Sequence, residues 1–213
     1  ATELDPGFVG AFAALSECQA TLARSPFCTD AKGEAAAARR TAEEAMRLDE
    51  AAPSAQFAYA HASWLHGAPE VALGHARQSV ALGPSFATGF AEIGFYEALY
   101  GDPEQAFANL ARAEVLNPMS PFIDSVHIDR AVAHLQRDDL DEAAFWATKA
   151  VSKRESYAQM QITGAMVLAA AGQLGAARRL VEKLDEERAV YDPHKVFRPP
   201  FSLRGPARDR LLR

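Results

Sequence analysis

The residues that interrupt helices in this chain recur at one interval. Pro84 and Pro118 stand 34 residues apart and close similar phrases, Val80-Ala81-Leu82-Gly83-Pro84 and Glu114-Val115-Leu116-Asn117-Pro118. Gly67 and Gly101 keep that interval, as do Ala72 and Ala106, Ala143 and Ala177, and Ala150 and Leu184. Between the two blocks Ala106 and Ala143 are 37 apart, an insertion of three residues. A fixed period of this length belongs to stacked supersecondary units, none of which hides its apolar face alone.

Each period reads as two helices around a Gly or polar turn. Alanine is abundant and clustered, as over 35–38 and 169–171, while β-branched residues are sparse, which favours helix throughout. The clearest unit predicts a helix over 87–100, a turn at 101–103 and a helix over 104–116, ended where Pro118 forbids continuation. Gly94, Ala106 and Ala113 fall where helices must approach closely, and Phe90, Ile93 and Leu110 where side chains fill the gap. Asp138, Asp139, Asp141 and Glu142 are expected to cap the second helix of the fourth pair.

With 49% apolar residues the chain can bury a continuous core. A net charge of −6 disfavours direct nucleic-acid binding. Lys195, Arg198, Arg204, Arg208, Arg210 and Arg213 form a basic end, read as solvated or set against an acidic neighbour. Two cysteines make no disulfide framework and fit a reducing compartment, hence a cytoplasmic location. The most apolar stretch, 162–171, falls short of the roughly 18 residues of a membrane span. The chain opens inside a repeat-like phrase, Leu4-Asp5-Pro6, so further protein is expected before Ala1.

Catalytic constellations are not evident. No glycine-rich phosphate phrase occurs. His127 and His134 are two helical turns apart but lack a third metal ligand; His134 reads as packed beside a turn and His127 as a surface residue. The acidic run at 138–142 lacks the turning glycine of a calcium loop. Cys18 and Cys28 flank an irregular segment, 25–33, and read as ordinary thiols. No catalytic residue, metal or cofactor is therefore expected.

The repeat positions resemble those of the tetratricopeptide repeat. Phe90, Ile93, Gly94, Ala106, Leu110, Ala113 and Pro118 match the third of about five units throughout. Phe12, Leu15 and Ser16 match the first; Gln56, Tyr59, Ala60, Ala72, Ala76, Ser79 and Pro84 the second; Ala143, Ala147 and Ala150 the fourth; Gly172, Ala177, Val181 and Leu184 the fifth. The implied fold is all-α, a right-handed α–α superhelical solenoid over 1–188, with a Pro/aromatic extension and the start of a basic helix over 189–213. A narrower resemblance, carried by Leu116-Asn117-Pro118, Ser120-Pro121, Ala133-His134 and Phe197-Arg198-Pro199-Pro200-Phe201, is to the repeat region that follows bacterial class III nucleotide cyclase domains or winged-helix regulators.

The resemblance implies that first helices line a concave groove, here with Phe57, His61, Trp64, Leu65, Phe95, Leu99, Ile128, Val132, Ile162 and Met166. Such a groove lacks the Lys, Arg and Asn of a chaperone carboxylate clamp and suits an amphipathic helix or extended apolar segment. The occupant is a partner protein, the chain's own Tyr191, Phe197 and Phe201, or a second copy through exposed helix faces. The expected function is a protein-interaction or oligomerisation scaffold within a larger signalling protein. The alternative is a sensor that encloses an apolar metabolite near Trp64, Phe95 and Met166.

Overall fold

The computed structural model describes residues 2–25, 28–152 and 158–187, with side chains to residue 184. Among these residues the chain is wholly helical, with ten helices in five successive pairs: α1 (Val9–Arg24) and α2 (Ala31–Leu48), α3 (Pro53–Leu65) and α4 (Pro69–Leu82), α5 (Ala87–Tyr100) and α6 (Pro103–Leu116), α7 (Ile123–Gln136) and α8 (Leu140–Val151), α9 (Ala158–Ala170) and α10 (Leu174–Glu187). The expected all-α class and the bounds of α5 agree with this, and α6 begins one residue earlier than expected, at Pro103. Prolines open α3, α4 and α6, where a missing N–H costs nothing. Asp30 and Asp102 cap α2 and α6 by accepting from Gly33 N and Glu104 N, each at 2.9 Å.

Two compact lobes divide inside α5, at Ile93 and Gly94. In the first lobe α1 packs on α2 and α3, and α3 on α2 and α4. In the second, α7 packs on α6, α8 and α9, and α9 on α8 and α10. The second helices α2 and α8 therefore serve both their own partner and the next pair, as the repeat requires.

The second helices make their contacts through small residues at i, i+4 and i+7. Ala38, Ala42 and Ala45; Ala72, Ala76 and Ser79; Ala106, Leu110 and Ala113; and Ala143, Ala147 and Ala150 are each 5% exposed or less. Removing side-chain bulk lets backbones approach, and burial of the larger residues opposite supplies the driving force. Ser16 satisfies its buried hydroxyl by donating to Ala38 O at 2.8 Å, which ties α1 to α2. In α10 the pattern loosens: Ala177 and Leu184 are buried, but Val181 is 47% exposed.

Two sequence expectations need correction. Asp138 does not cap a helix: it holds a left-handed turn, φ 66°, in the place that Gly172 takes at φ 79° one period later. Asp139 occupies the N-cap of α8 without a side-chain capping bond. Its carboxylate instead lies 3.0 Å from Arg137 Nε and 3.4 Å from His134 Nδ1. His127, expected on a surface, is buried beside Trp146, with ring centroids 5.3 Å apart.

Candidate protein-binding surface

In the first lobe, Phe57, His61 and Trp64 recur at i, i+4 and i+7 along one face of α3. Phe57 meets Phe86 edge-on at 5.6 Å, and His61 lies between Phe57 and Trp64 at 6.3 and 6.1 Å. Arg24, the last residue of α1, places its guanidinium 4.9 Å over the Trp64 ring and its Nη1 3.3 Å from His61 Nε2. Arginine only donates, so Nε2 accepts and the neutral ring carries its proton on Nδ1. Burial holds His61 below the usual imidazole range and favours that neutral form.

This assignment leaves polar groups without partners. His61 Nδ1 and Glu92 Oε1 are buried and find no hydrogen-bond partner. On α1, burial and then the negative charge of Glu92 push the Glu17 carboxyl up to about 7. The face is therefore apolar and aromatic with an uncompensated polar spot. Glu17 and Glu92 lie outside the residues that the sequence reading singles out. The available signal is one acidic residue within each of two otherwise apolar helices, Glu17 in the middle of α1 and Glu92 in the first half of α5.

The remaining predicted groove residues divide by exposure. Phe57, Trp64, Leu99, Ile128, Val132 and Ile162 are 2–5% exposed, and His61 8%. Leu65, Phe95 and Met166 are half-buried. Ile162 joins Ala158 and Leu184 in a core cluster, and Met166 packs against it. Phe95 lies 5.4 Å from Tyr96. Most of the predicted face thus packs within the chain, and three side chains retain access to solvent.

The cation, aromatic and histidine grouping recurs elsewhere. Arg39 lies 4.3 Å over Tyr59, which faces His75 at 4.5 Å. Arg137 lies 5.5 Å over Phe107, which faces His134 at 4.5 Å. Arg130 and Lys149 each stand 4.4 Å from Trp146, against His127. Glu114 closes the last group by accepting from Arg130 at 3.0 Å. These ring contacts account for four of the six histidines as packing residues.

A separate cleft of about 630 Å³ opens to solvent in the first lobe. Met46 and Glu50 of α2 and its end, Gln56 of α3, and Val71, Gly74, His75 and Leu82 of α4 line it. Its wall is ordered by His75 Nδ1 and Gln56 Oε1 at 2.7 Å and by Gln56 Nε2 donating to Glu50 O at 2.7 Å. Among the described residues no three His, Cys, Asp or Glu side chains converge to hold a metal. Cys18 is exposed, Cys28 is half-buried, and both are free thiols. No described helix is long and apolar enough to cross a membrane. The predicted self-capping residues Tyr191, Phe197 and Phe201 and the basic end lie outside the described residues.

The architecture is shared with solved repeat proteins. TTC0263, described as a thermophilic TPR protein in Thermus thermophilus, superposes with a TM-score of 0.64 at 20% identity, covering 91% of this chain and 99% of that one. PilW, a type IV pilus biogenesis factor, gives 0.64 at 17% identity over 84% and 80%. MamA gives 0.55 at 16% over 75% and 94%. No protein-family model matches the sequence, and no curated protein does. At these identities the likeness establishes the tetratricopeptide-type helical-repeat fold.

Proposed function

We propose that the chain is a protein-interaction scaffold, not an enzyme, and that a peptide segment of a partner docks on the face of its first helices. The observation that carries this reading is that Leu65, Phe95 and Met166, on three of the first helices, keep access to solvent beside buried aromatic and apolar neighbours. Leu65 in the first lobe, and Phe95 and Met166 in the second, each offer apolar contact. The repeat fold shared with TTC0263 supports the same class of function.

The finer reading is a cytoplasmic regulatory region of a larger bacterial signalling protein, a nucleotide cyclase or transcription regulator. The phrases at 116–121 and 197–201 support it, as do the free thiols. The division into a repeat region over 1–188 and an extension over 189–213 belongs to that reading, and Tyr191, Phe197 and Phe201 are its internal candidates for the groove.

The test is photocrosslinking in cells from p-benzoylphenylalanine placed singly at Leu65, Phe95 or Met166, with Ala108 and Arg179 on second helices as comparison. Discrete adducts from the first-helix positions alone are expected. Adducts of equal yield from Ala108 and Arg179, or none from the first-helix positions, contradict the assignment.

A further inference from the structure

The last described helix repeats a phrase of the first pair. Ala176-Ala177-Arg178-Arg179 in α10 matches Ala37-Ala38-Arg39-Arg40 in α2, and Val181-Glu182 follows as Ala42-Glu43 does. In α2 this phrase is a seam with the next pair. Ala42 shares a buried cluster with Ala58 and Ala62 of α3, and Arg39 donates to Tyr59 Oη and, at 3.2 Å, to Ser63 Oγ. In α10 the same surface is open. Ala42, Ala76, Leu110 and Ala147 hold one position of the second helices and are fully buried, whereas Val181 in that position is 47% exposed.

The first helix has the complementary opening. Counted from the matched Ser16 and Ala60, Cys18 corresponds to Ala62, and Tyr96, Ala133 and Val167 hold that position in α5, α7 and α9. Those four are 2% exposed or less, but Cys18 is exposed. Every exposed residue of α1, namely Ala14, Leu15, Cys18, Thr21 and Leu22, is uncharged, although the solvent side of a surface helix ordinarily carries charge. Its two charged residues, Glu17 and Arg24, are half-buried and interact with Glu92 and with Trp64.

We propose that this chain self-associates end to end, with α10 of one molecule seated on α1 of another as α2 is seated on α3 within the chain. Val181 then meets Cys18 and Ala14 as Ala42 meets Ala62 and Ala58. Arg178 lies along Leu15, the counterpart of Tyr59, and donates to the amide oxygen of Gln19, the counterpart of Ser63. Glu182 steadies Arg178 one turn away, as Glu43 steadies Arg39 at 2.8 Å. The exposed face of α1 brings no like charge against either. Arg179 and Lys183 stand outside the seam, where α2 has the exposed Arg40 and a Glu44 paired with Arg47 of its own helix. The two faces differ, so the contact is heterologous and each molecule in a pair keeps one face of each kind. A seam of one helix on another is small, which makes the association weak and concentration-dependent. The proposal rests on the scaffold reading in treating helix faces as contact surfaces, but it does not use Leu65, Phe95 or Met166.

Sedimentation velocity of the full chain over a concentration series, with Val181→Asp or Cys18→Arg placing a charge in either face, tests it. Wild-type mass is expected to rise with concentration, and each variant to weaken association by about tenfold or more. Mixing the two variants joins the intact α10 face of one to the intact α1 face of the other, so a one-to-one heterodimer and nothing larger is expected. If Cys18→Arg fails to fold by circular dichroism, Leu15→Arg takes its place. The register is read from thiols: Val181→Cys with Cys28→Ser is expected to crosslink between molecules on mild oxidation, and adding Cys18→Ser to abolish the crosslink. A wild-type chain that stays monomeric, as when residues 189–213 cover α10, variants that associate like wild type, or a crosslink that survives Cys18→Ser overturns the proposal. A photoadduct between two copies has twice the chain mass and separates from a partner adduct, so failure here is distinguishable from failure of the peptide-face reading.

Discussion

Leu110 of α6 packs against the backbone of Gly94 in α5 so closely that a Cβ on Gly94 would stand 2.6 Å from Leu110 Cγ and Cδ2. Leu110 is fully buried, so it has no solvent to move into. The pair joins two helices by a size match rather than by a directional bond.

Gly94→Ala is therefore expected to destabilise the fold by about 1–3 kcal/mol through overpacking, and Leu110→Ala by about 2–5 kcal/mol through lost burial and a cavity. Because the smaller residue leaves room for the new methyl, the double substitution is expected to cost about 1 kcal/mol less than the sum. Urea unfolding followed by circular dichroism measures all three. Strict additivity would show that the two residues do not share one space.

The left-handed turn at Asp138 makes a second prediction. Asp138→Ala is expected to cost about 1 kcal/mol because an ordinary L residue resists positive φ, while Asp138→Gly stays within about 0.5 kcal/mol of wild type. Gly172→Ala, at φ 79°, is expected to cost about 1–2 kcal/mol. Equal effects of Ala and Gly at Asp138 would show that its backbone conformation carries no such cost.

Glu17 gives stability a definite pH dependence. Its carboxyl is raised from 4.5 to about 7 in the folded chain, so between these values the folded state holds a proton that the unfolded state has released. Its contribution is fully present below about 4.5 and is lost as pH rises through about 7. Glu17→Gln is therefore expected to be more stable than wild type above pH 7, by about 2–3 kcal/mol at most, with the difference vanishing towards pH 4.5. His61, His75 and His127 are held low, chiefly by burial, so their contribution is present above the unfolded value near 6.5 and is lost as pH falls through their depressed folded values. Both proteins share that loss, so it cancels in the comparison. A pH-independent difference would contradict the assignment.

The fold is legible in the sequence where spacing alone decides structure. Prolines and small residues at fixed intervals give the pairs, the bounds of α5 and, to within one residue, of α6, and the buried positions of the second helices. Asp138 misleads because acidic residues before a helix ordinarily cap it, although it stands one 34-residue period before Gly172, and the three-residue insertion hides its match to Gly101. For the candidate face, periodicity locates Phe57, His61 and Trp64 on one side of α3 but does not say whether that side is open. Arg24 and Phe86, far from α3 in sequence, set their environment. Glu17 and Glu92 escape a sequence reading because a carboxyl's burial and its like-charged neighbour are tertiary facts.

If each helix pair is stable only against the next, hydrogen exchange reads that dependence directly. Ala147 of α8 is fully buried, with α7 and α9 packed on its helix. Overpacking it as Ala147→Leu is predicted to raise amide exchange in α7, α8 and α9 together. Faster exchange confined to α8, with α7 and α9 as protected as in wild type, would contradict mutual support between neighbouring pairs.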